Sequence, residues 1–378
     1  MKIVIATDSF KGSISAEGAC RLIKQGMEAV LDAEYIPVPM ADGGEGTVEA
    51  MVAALQGELR QVEVTGPLGE KVLASFGLVR DRKTAIIEMA AASGLPLVPE
   101  PLRNPEVTTT YGTGELIRAA LEQGCEELII GIGGSATNDG GAGMIQALGG
   151  RLLREDGSPI PWGGAGLLEL ARIDLSGLDP RLEQVRLQVA CDVDNPLCGP
   201  KGAAYVYGPQ KGATPQQVER LDRALGHYAD VIQRELGKDV RHIPGAGAAG
   251  GLGAGFLAFT KAKLRPGVEI VMETVGLEEL VKDADLVITG EGAIDGQSVR
   301  GKTPVGVARV AAKYGCPVIA IVGSVGPGSH EVHTQGITAY FSLINRPMSL
   351  ATAMAETEDL ILDLASQIGR LVKALVRL

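Results

Sequence analysis

Aromatic residues are scarce in this chain: seven Tyr, five Phe and one Trp make up 3% of its 378 positions. Little is left for stacking nucleobases. The basic surplus that nucleic acid or an anionic membrane would need is also missing, since 35 Lys and Arg stand against 46 Asp and Glu for a net charge of −11. Long apolar runs are absent too. Nothing approaches the roughly 18 to 20 residues that span a bilayer, and the opening MKIVIATDSF lacks the charged region, apolar core and cleavage site of a secretory leader. The expectation is a cytoplasmic protein with neither nucleic acid nor membrane as partner. Five cysteines (Cys20, Cys125, Cys191, Cys198 and Cys316) form no C-x-x-C pair, which excludes a zinc knuckle and gives no disulfide framework. Of four histidines only His330 and His333 are spaced like ligands, and two are too few for a metal site, so they read as surface residues.

Glycine is what the chain has in excess, 52 residues without a collagen period, which implies many tight turns. Turns are where binding groups concentrate. The length points to two domains. Apolar β-rich runs over 2–7 and 35–40 each empty into a polar loop and then a helical pattern, the first helix capped by Ser15. From about residue 60 the rhythm changes to strands without helices, over 61–65, 71–78 and 84–89, broken by GPLG at 66–69. A helix over 113–122 and a strand over 186–191 follow. After about 283 the first pattern returns, with strands over 286–290, 318–322 and 339–343 and a helix over 304–314. The end of the chain reads as one packing helix over 349–378, with Leu360, Ile361, Leu364, Ile368, Leu371, Val372 and Leu375 on one stripe, acidic residues first and basic residues, Arg377 included, last. The expected architecture is α/β: segments 1–65 and 283–378 build a parallel sheet with helices on both faces, interrupted by an inserted domain at 66–282.

The stretch GIGGSATNDGGAG at 131–143 follows an apolar strand and leads into Met144, Ile145 and Leu148. A strand, glycine turn and helix start would aim unpaired N–H groups at one point, where an anion belongs. A purely structural turn is the alternative. Ligands of parallel sheets bind beyond the carboxyl ends of the strands, and the loops DSFKGS, ADGGEGT and GEGAIDGQSVRGKT there hold Asp8, Asp42, Glu45, Glu291 and Asp295, with Lys11 and Lys302 as compensating cations. Each carboxylate alone could be a cap or a solvated charge; together beside a phosphate-cradling turn they suit a magnesium nucleotide. In CDVDNPLCGPKGA at 191–203, Asp192 and Asp194 converge if Asn195 and Pro196 make a turn, and one could orient or deprotonate a substrate hydroxyl. GQSVRGKT at 296–303 satisfies the literal P-loop pattern, but five residues separate it from the end of the expected strand. A P-loop NTPase and a non-catalytic nucleotide-binding regulator are therefore the alternative readings.

Six motifs in order, ATDSFKGS at 6–13, PMADGGEGT at 39–47, the 131–143 turn, DVDNPLCGP at 192–200, PGAGAAGGLGAG at 244–255 and TGEGAIDGQSVRGKTPVGVA at 289–308, resemble the type I glycerate kinase family. The resemblance implies a flavodoxin-like domain interrupted by a second α/β domain with a mixed sheet, and ATP-dependent phosphorylation of glycerate with Mg2+ in a cleft between the domains. D-glycerate going to 2-phosphoglycerate is the expected product, with 3-phosphoglycerate as the other isomer and a homodimer left open. Carried onto this sequence, Asp192 becomes the base, with Lys11 and Asp8 as the other catalytic groups. Ser9, Gly133, Gly134, Ser135, Thr137, Asn138, Lys302 and Thr303 would contact substrate or phosphate, and Asp42, Glu45, Asp139, Asp194, Glu291 and Asp295 would hold metal.

Overall fold

The computed structural model describes residues 1–296, 298 and 302–376. Its strands, in chain order, are β1 Lys2–Thr7, β2 Glu34–Pro37, β3 Glu58–Thr65, β4 Lys71–Val79, β5 Thr84–Glu88, β6 Glu127–Gly131, β7 Arg151–Leu153, β8 Arg172–Asp174, β9 Arg186–Ala190, β10 Lys263–Arg265, β11 Leu286–Ile294, β12 Val318–Val325 and β13 Ala339–Ser342. The chain divides into two compact units: one holds residues 1–42, 49–56 and 268–378, the other 43–48 and 57–267.

The first unit is built on a five-stranded sheet ordered β13-β12-β11-β1-β2, parallel at every junction. Renumbered along this unit the order is 2-1-3-4-5, the flavodoxin-like arrangement, with its switch point between β1 and β11. The unbroken run Ile3, Val4, Ile5, Ala6 is wholly buried, as expected of a strand covered by helices on both faces. Helix Ala16–Glu28 starts at Ser15, whose side chain accepts from Gly18 N–H, and buries Cys20, Ile23 and Met27. It packs closely on helix Thr357–Val376: a Cβ at Gly26 would lie 2.6 Å from Leu362 O.

That C-terminal helix differs from the sequence reading in two ways. The chain forms two helices, Leu350–Ala355 and Thr357–Val376, and the buried stripe runs through Leu360, Ile361, Ala365, Ile368 and Val372 while Leu371 and Leu375 are exposed. The small residues Ala365 and Gly369 carry the contact because a neighbouring helix approaches too closely for leucine there. The expected final cation Arg377 lies outside the described residues.

The second unit holds a six-stranded sheet ordered β10-β9-β6-β5-β4-β3 and the small hairpin β7-β8. β3, β4 and β5 pair antiparallel, whereas β5, β6, β9 and β10 run parallel, so the sheet is mixed. Because β3 pairs with β4 along its whole length, it belongs to this unit and not to the segment ending at residue 65. Similarly the first unit resumes at Val268, before the expected crossing at 283. Helix Pro215–Leu236, 22 residues long, was not read from the sequence. Its Thr214 and Gln217 form a capping box and Gly237 ends it in the left-handed region. Among the described residues no helix is long and apolar enough to cross a membrane.

The stretch 244–255 leads into helix Ala248–Phe259, which is kinked where Ala249, Gly250 and Gly251 have positive φ. At Gly250 φ is +69°, and a Cβ would lie within 2 Å of Thr137 O, with its neighbour Asn138 Cα at 2.7 Å. Backbone therefore rests on backbone beneath the 131–143 turn. Gly250→Ala combines left-handed strain with an overpacked contact, and thermal or urea unfolding of the purified variant should show a loss of at least about 2 kcal/mol.

Candidate active site

In the first unit the two strands flanking the switch point each deliver a carboxylate. Thr7 pairs with Gly290 and Asp8 N–H donates to Gly290 O at 2.9 Å, so Asp8 and Glu291 emerge side by side. Asp8 is 7% exposed. Its Oδ1 accepts from Ser9 N–H at 2.6 Å and its Oδ2 from Thr303 Oγ1 at 2.7 Å. Thr303 can reach it because helix Thr303–Ala312 begins there, behind Lys302. Glu291 Oε1 accepts from Ser298 Oγ at 3.1 Å, and the same hydroxyl accepts from Asp295 N–H at 3.1 Å. Lys11 Nζ lies 3.8 Å from Asp42 Oδ2.

These groups perturb one another. Burial raises the Asp8 carboxyl above its usual range; the Thr303 bond opposes this and the Asp42 charge adds to it. Burial also pushes Glu291 up to about 7, against the pull of Lys302 and Ser298 and with further push from Asp8 and Asp295. Among the described residues, four carboxylates thus share one neighbourhood with two lysines. The donor set is all oxygen and fits a hard divalent cation of the kind that takes one or two carboxylates and completes its shell from phosphate and water. Sequence reasoning had found every member of this cluster except Ser298.

In the second unit the glycine turn leaves β6, and its shape departs from expectation. The helix that follows, Ala142–Ala147, is only six residues long. N–H groups around its start are consumed internally: Gly141 and Gly143 donate to the Asp139 carboxylate at 3.1 and 3.2 Å, Ala142 to Asp139 O at 2.9 Å, and Met144 to Thr110 Oγ1 at 2.9 Å. The helix start is therefore closed to an anion. Asp139 also accepts from Thr110 N–H and Oγ1 at 2.8 and 2.9 Å and is fully buried, with burial raising its carboxyl above the usual range. Its place as a metal ligand is corrected: its oxygens are spent on the turn. Thr137 and Asn138 are likewise fully buried, and the Thr137 hydroxyl oxygen and both amide atoms of Asn138 have no hydrogen-bond partner. What the turn exposes is Gly133 and Gly134, with Ser135 beside them.

The ADGGEGT loop supplies the neighbour of this bend. A Cβ at Gly131 would sit 2.5 Å from Gly43 O, and one at Gly43 would sit 2.6 Å from Ala190 Cβ, so only glycine lets the loop lie across the ends of β6 and β9. Glu45 is exposed there. β9 stops at Ala190, which places Asp192 and Asp194 in the loop that the sequence favoured; both are exposed. Asp192 Oδ1 accepts from Gly267 N–H at 2.9 Å, and Asn195 is held by Tyr207 Oη at 2.6 Å and by Lys201 O at 2.8 Å. Among the described residues no group of three or more His, Cys, Asp or Glu is placed to enclose a metal by itself, so the six proposed ligands do not form one cage.

The P-loop pattern at 296–303 falls partly on 297 and 299–301, which lie outside the described residues. β11 runs to Ile294, still paired with Val325 of β12, and thus ends closer to the pattern than the sequence indicated. Sequence reasoning missed Lys211 altogether. Its ammonium, 1% exposed as a residue, donates to Ser135 Oγ and Thr137 O at 2.6 Å each. Nothing in GPQKG marks that lysine as interior.

A carboxylate cluster at the switch point of a parallel sheet and an exposed glycine bend backed by a buried cation together suit an enzyme that handles phosphorylated small molecules. Comparison with known proteins makes this particular. The family model described as glycerate kinase family matches residues 3–373. A glycerate kinase from Halalkalibacterium halodurans is 61% identical over 97% of each chain, and a glycerate 2-kinase from Escherichia coli K12 is 56% identical over 95% of this chain and 94% of that one. A solved structure from Salmonella typhimurium LT2 carrying the name glycerate kinase 2 superposes with a TM-score of 0.93 at 53% identity, covering both chains in full. The chain belongs to the glycerate kinase family. It is an enzyme, a phosphotransferase with an alcohol group as acceptor, and its substrate is a small molecule.

The raised carboxyl of Glu291 has a consequence for stability. An unfolded Glu gives up its proton near its ordinary value of 4.5, whereas in the fold it keeps it to about 7. Between those values the native state binds more protons, so the cost of ionised Glu291 is absent below about pH 4.5, grows with pH, and is complete above about 7. Glu291→Gln removes that cost. Melting curves at pH 5 and pH 8 should show the variant gaining on wild type at pH 8 and losing the advantage at pH 5.

Proposed function

We propose that this kinase transfers the γ-phosphoryl group of ATP to D-glycerate and releases 2-phosphoglycerate, with Mg2+ as the metal. The observation that carries the reading is that Asp8 and Glu291 sit side by side just past the last paired residues, Thr7 and Gly290, of the two strands flanking the switch point, where doubly wound sheets bind their ligands. Two partly buried carboxylates held against their own charge, with Asp42 and Asp295 adding to it, are a poor arrangement for an empty loop and a good one for a cation. The name of the 56% identical Escherichia coli relative, glycerate 2-kinase, supports the 2-position.

Asp8 and Glu291 would hold the ion, with phosphate and water completing its shell, and Asp42 and Asp295 would add negative potential beside them. When bound, the ion would neutralise charge on the transferring phosphoryl group. The remaining work belongs to the chain. Lys11 and Lys302 supply positive charge for phosphate, and Thr303 with Ser9 keeps Asp8 oriented. Gly133, Gly134 and Ser135 offer a glycine-backed bend to an anionic group, either a phosphate or the glycerate carboxylate. Asp192 has one oxygen on Gly267 N–H and a side chain open to solvent, which suits a group that accepts the proton of the attacking hydroxyl. Glu45 and Asp194 are exposed carboxylates with no role in this scheme.

The test of the activity is release of ADP that requires both ATP and D-glycerate, with phosphorus NMR of the product against both phosphoglycerate standards. A single resonance matching 2-phosphoglycerate is expected; a 3-phosphoglycerate resonance would reassign the hydroxyl. Asp192→Asn should lower kcat at least tenfold with a melting temperature within a few degrees of wild type. Unchanged turnover would remove Asp192 as the base.

A further inference from the structure

The bend at 133–135 is backed by a charge whose presence its structural task does not explain. Lys211 closes the short helix Pro209–Lys211, and its backbone is fixed independently of its side chain. Lys211 N–H donates to Gly208 O at 3.0 Å and Ala213 N–H to the same oxygen at 3.1 Å. The next residue, Gly212, has φ +91° and sits where a Cβ would lie 2.3 Å from Arg103 O. From this clamp the side chain reaches Ser135 Oγ and Thr137 O.

Both partners are neutral oxygens, and a neutral amide or a water could serve them. Burying an ammonium costs several kcal/mol unless an anion compensates. The charged group facing it is Asp139, felt through space and already engaged by donors from Thr110, Gly141 and Gly143. Tyr228, which also faces Asp139, is kept neutral because burial raises its hydroxyl far above the usual range. Desolvation outweighs Asp139 and brings the Lys211 ammonium down to about 7. Ser135 Oγ accepts from Nζ, so its own hydroxyl hydrogen is free to point elsewhere. Gly133 and Gly134, the exposed residues of the turn, are its neighbours.

We propose that Lys211 is a positioning residue of the kinase reaction: its buried ammonium sets the Ser135 hydroxyl as a donor and supplies, from behind the 133–135 bend, the positive charge that an incoming anionic group of the substrate pair compensates. This rests on the reading of that bend as an anion contact. The shared ligand chemistry is a phosphate or a carboxylate, and the arms of the experiment separate the two sources.

Steady-state kinetics with MgATP and D-glycerate varied in turn are compared for wild type, Lys211→Met, Lys211→Gln and Ser135→Ala, each with its melting temperature. In Lys211→Met the KM of one substrate should rise at least tenfold. MgATP as the affected substrate makes the anion a phosphate, and D-glycerate makes it the carboxylate. Lys211→Gln, which keeps hydrogen-bond donors without the charge, should show the same loss and serves as the test if the methionine variant does not fold. In wild type that KM should be flat below about pH 7 and rise above it as the ammonium deprotonates, a rise absent from both Lys211 variants. If Ser135→Ala raises KM and neither Lys211 variant does, the proposal falls and the anion bend stands. If none of the three changes either KM, the bend itself is misread. A glutamine variant equal to wild type would show that the charge plays no part.

Discussion

The candidate site of the first unit depends on one pairing. β1 and β11 run parallel in register from Ile3 with Leu286 to Thr7 with Gly290, and on each side the next residue past that pairing is a carboxylate. Parallel neighbours end on the same side of a sheet, so two acids far apart in sequence are forced together where water is partly excluded. The resulting repulsion is moderated by a hydroxyl on each, Thr303 on Asp8 and Ser298 on Glu291. Thr303, 295 positions from Asp8, is held by the helix that follows β11. A fold that relaxed this pairing would separate the two acids.

The second unit meets a different constraint, the approach of backbone to backbone. Gly43 lies against Gly131 and Ala190, and Gly250 against Thr137, at separations that leave no room for a Cβ. Glycine in these motifs serves close packing. The polar groups inside the turn follow the same logic: Asp139 and Thr110 satisfy the N–H groups that the short helix leaves open, and Lys211 ties down the outer bend. A loop built this way is rigid, which is what an oriented donor needs.

Much of the fold could be read from the chain because parallel strands buried on both faces appear as continuous apolar runs. KIVIAT and LVITG announced β1 and β11, and the alternation of strand and helix announced the parallel sheet. The change of rhythm near residue 60 announced a second architecture. Boundaries were read less well. β3 was assigned to the wrong side because its membership is fixed by pairing with β4, a relation between strands that composition does not carry. Leu371 and Leu375 joined the apolar stripe of the last helix on periodicity alone, whereas the packing surface is defined by its neighbour and selects Ala365 and Gly369.

The residue types of the site were set by the sequence: acids and lysines in glycine-rich loops after strands, in an order shared with one enzyme family. That much follows from local chemistry, since a loop that binds a charged ligand must carry its groups in the chain. Which groups face outward was decided by tertiary structure alone. Asp139 and Asp192 look alike as letters, one turned into four donors and the other left exposed, and Lys211 became interior only because Pro209–Gly212 folds behind the bend. Burial and partnership belong to the arrangement of elements in space, and the charge state of a side chain follows from them.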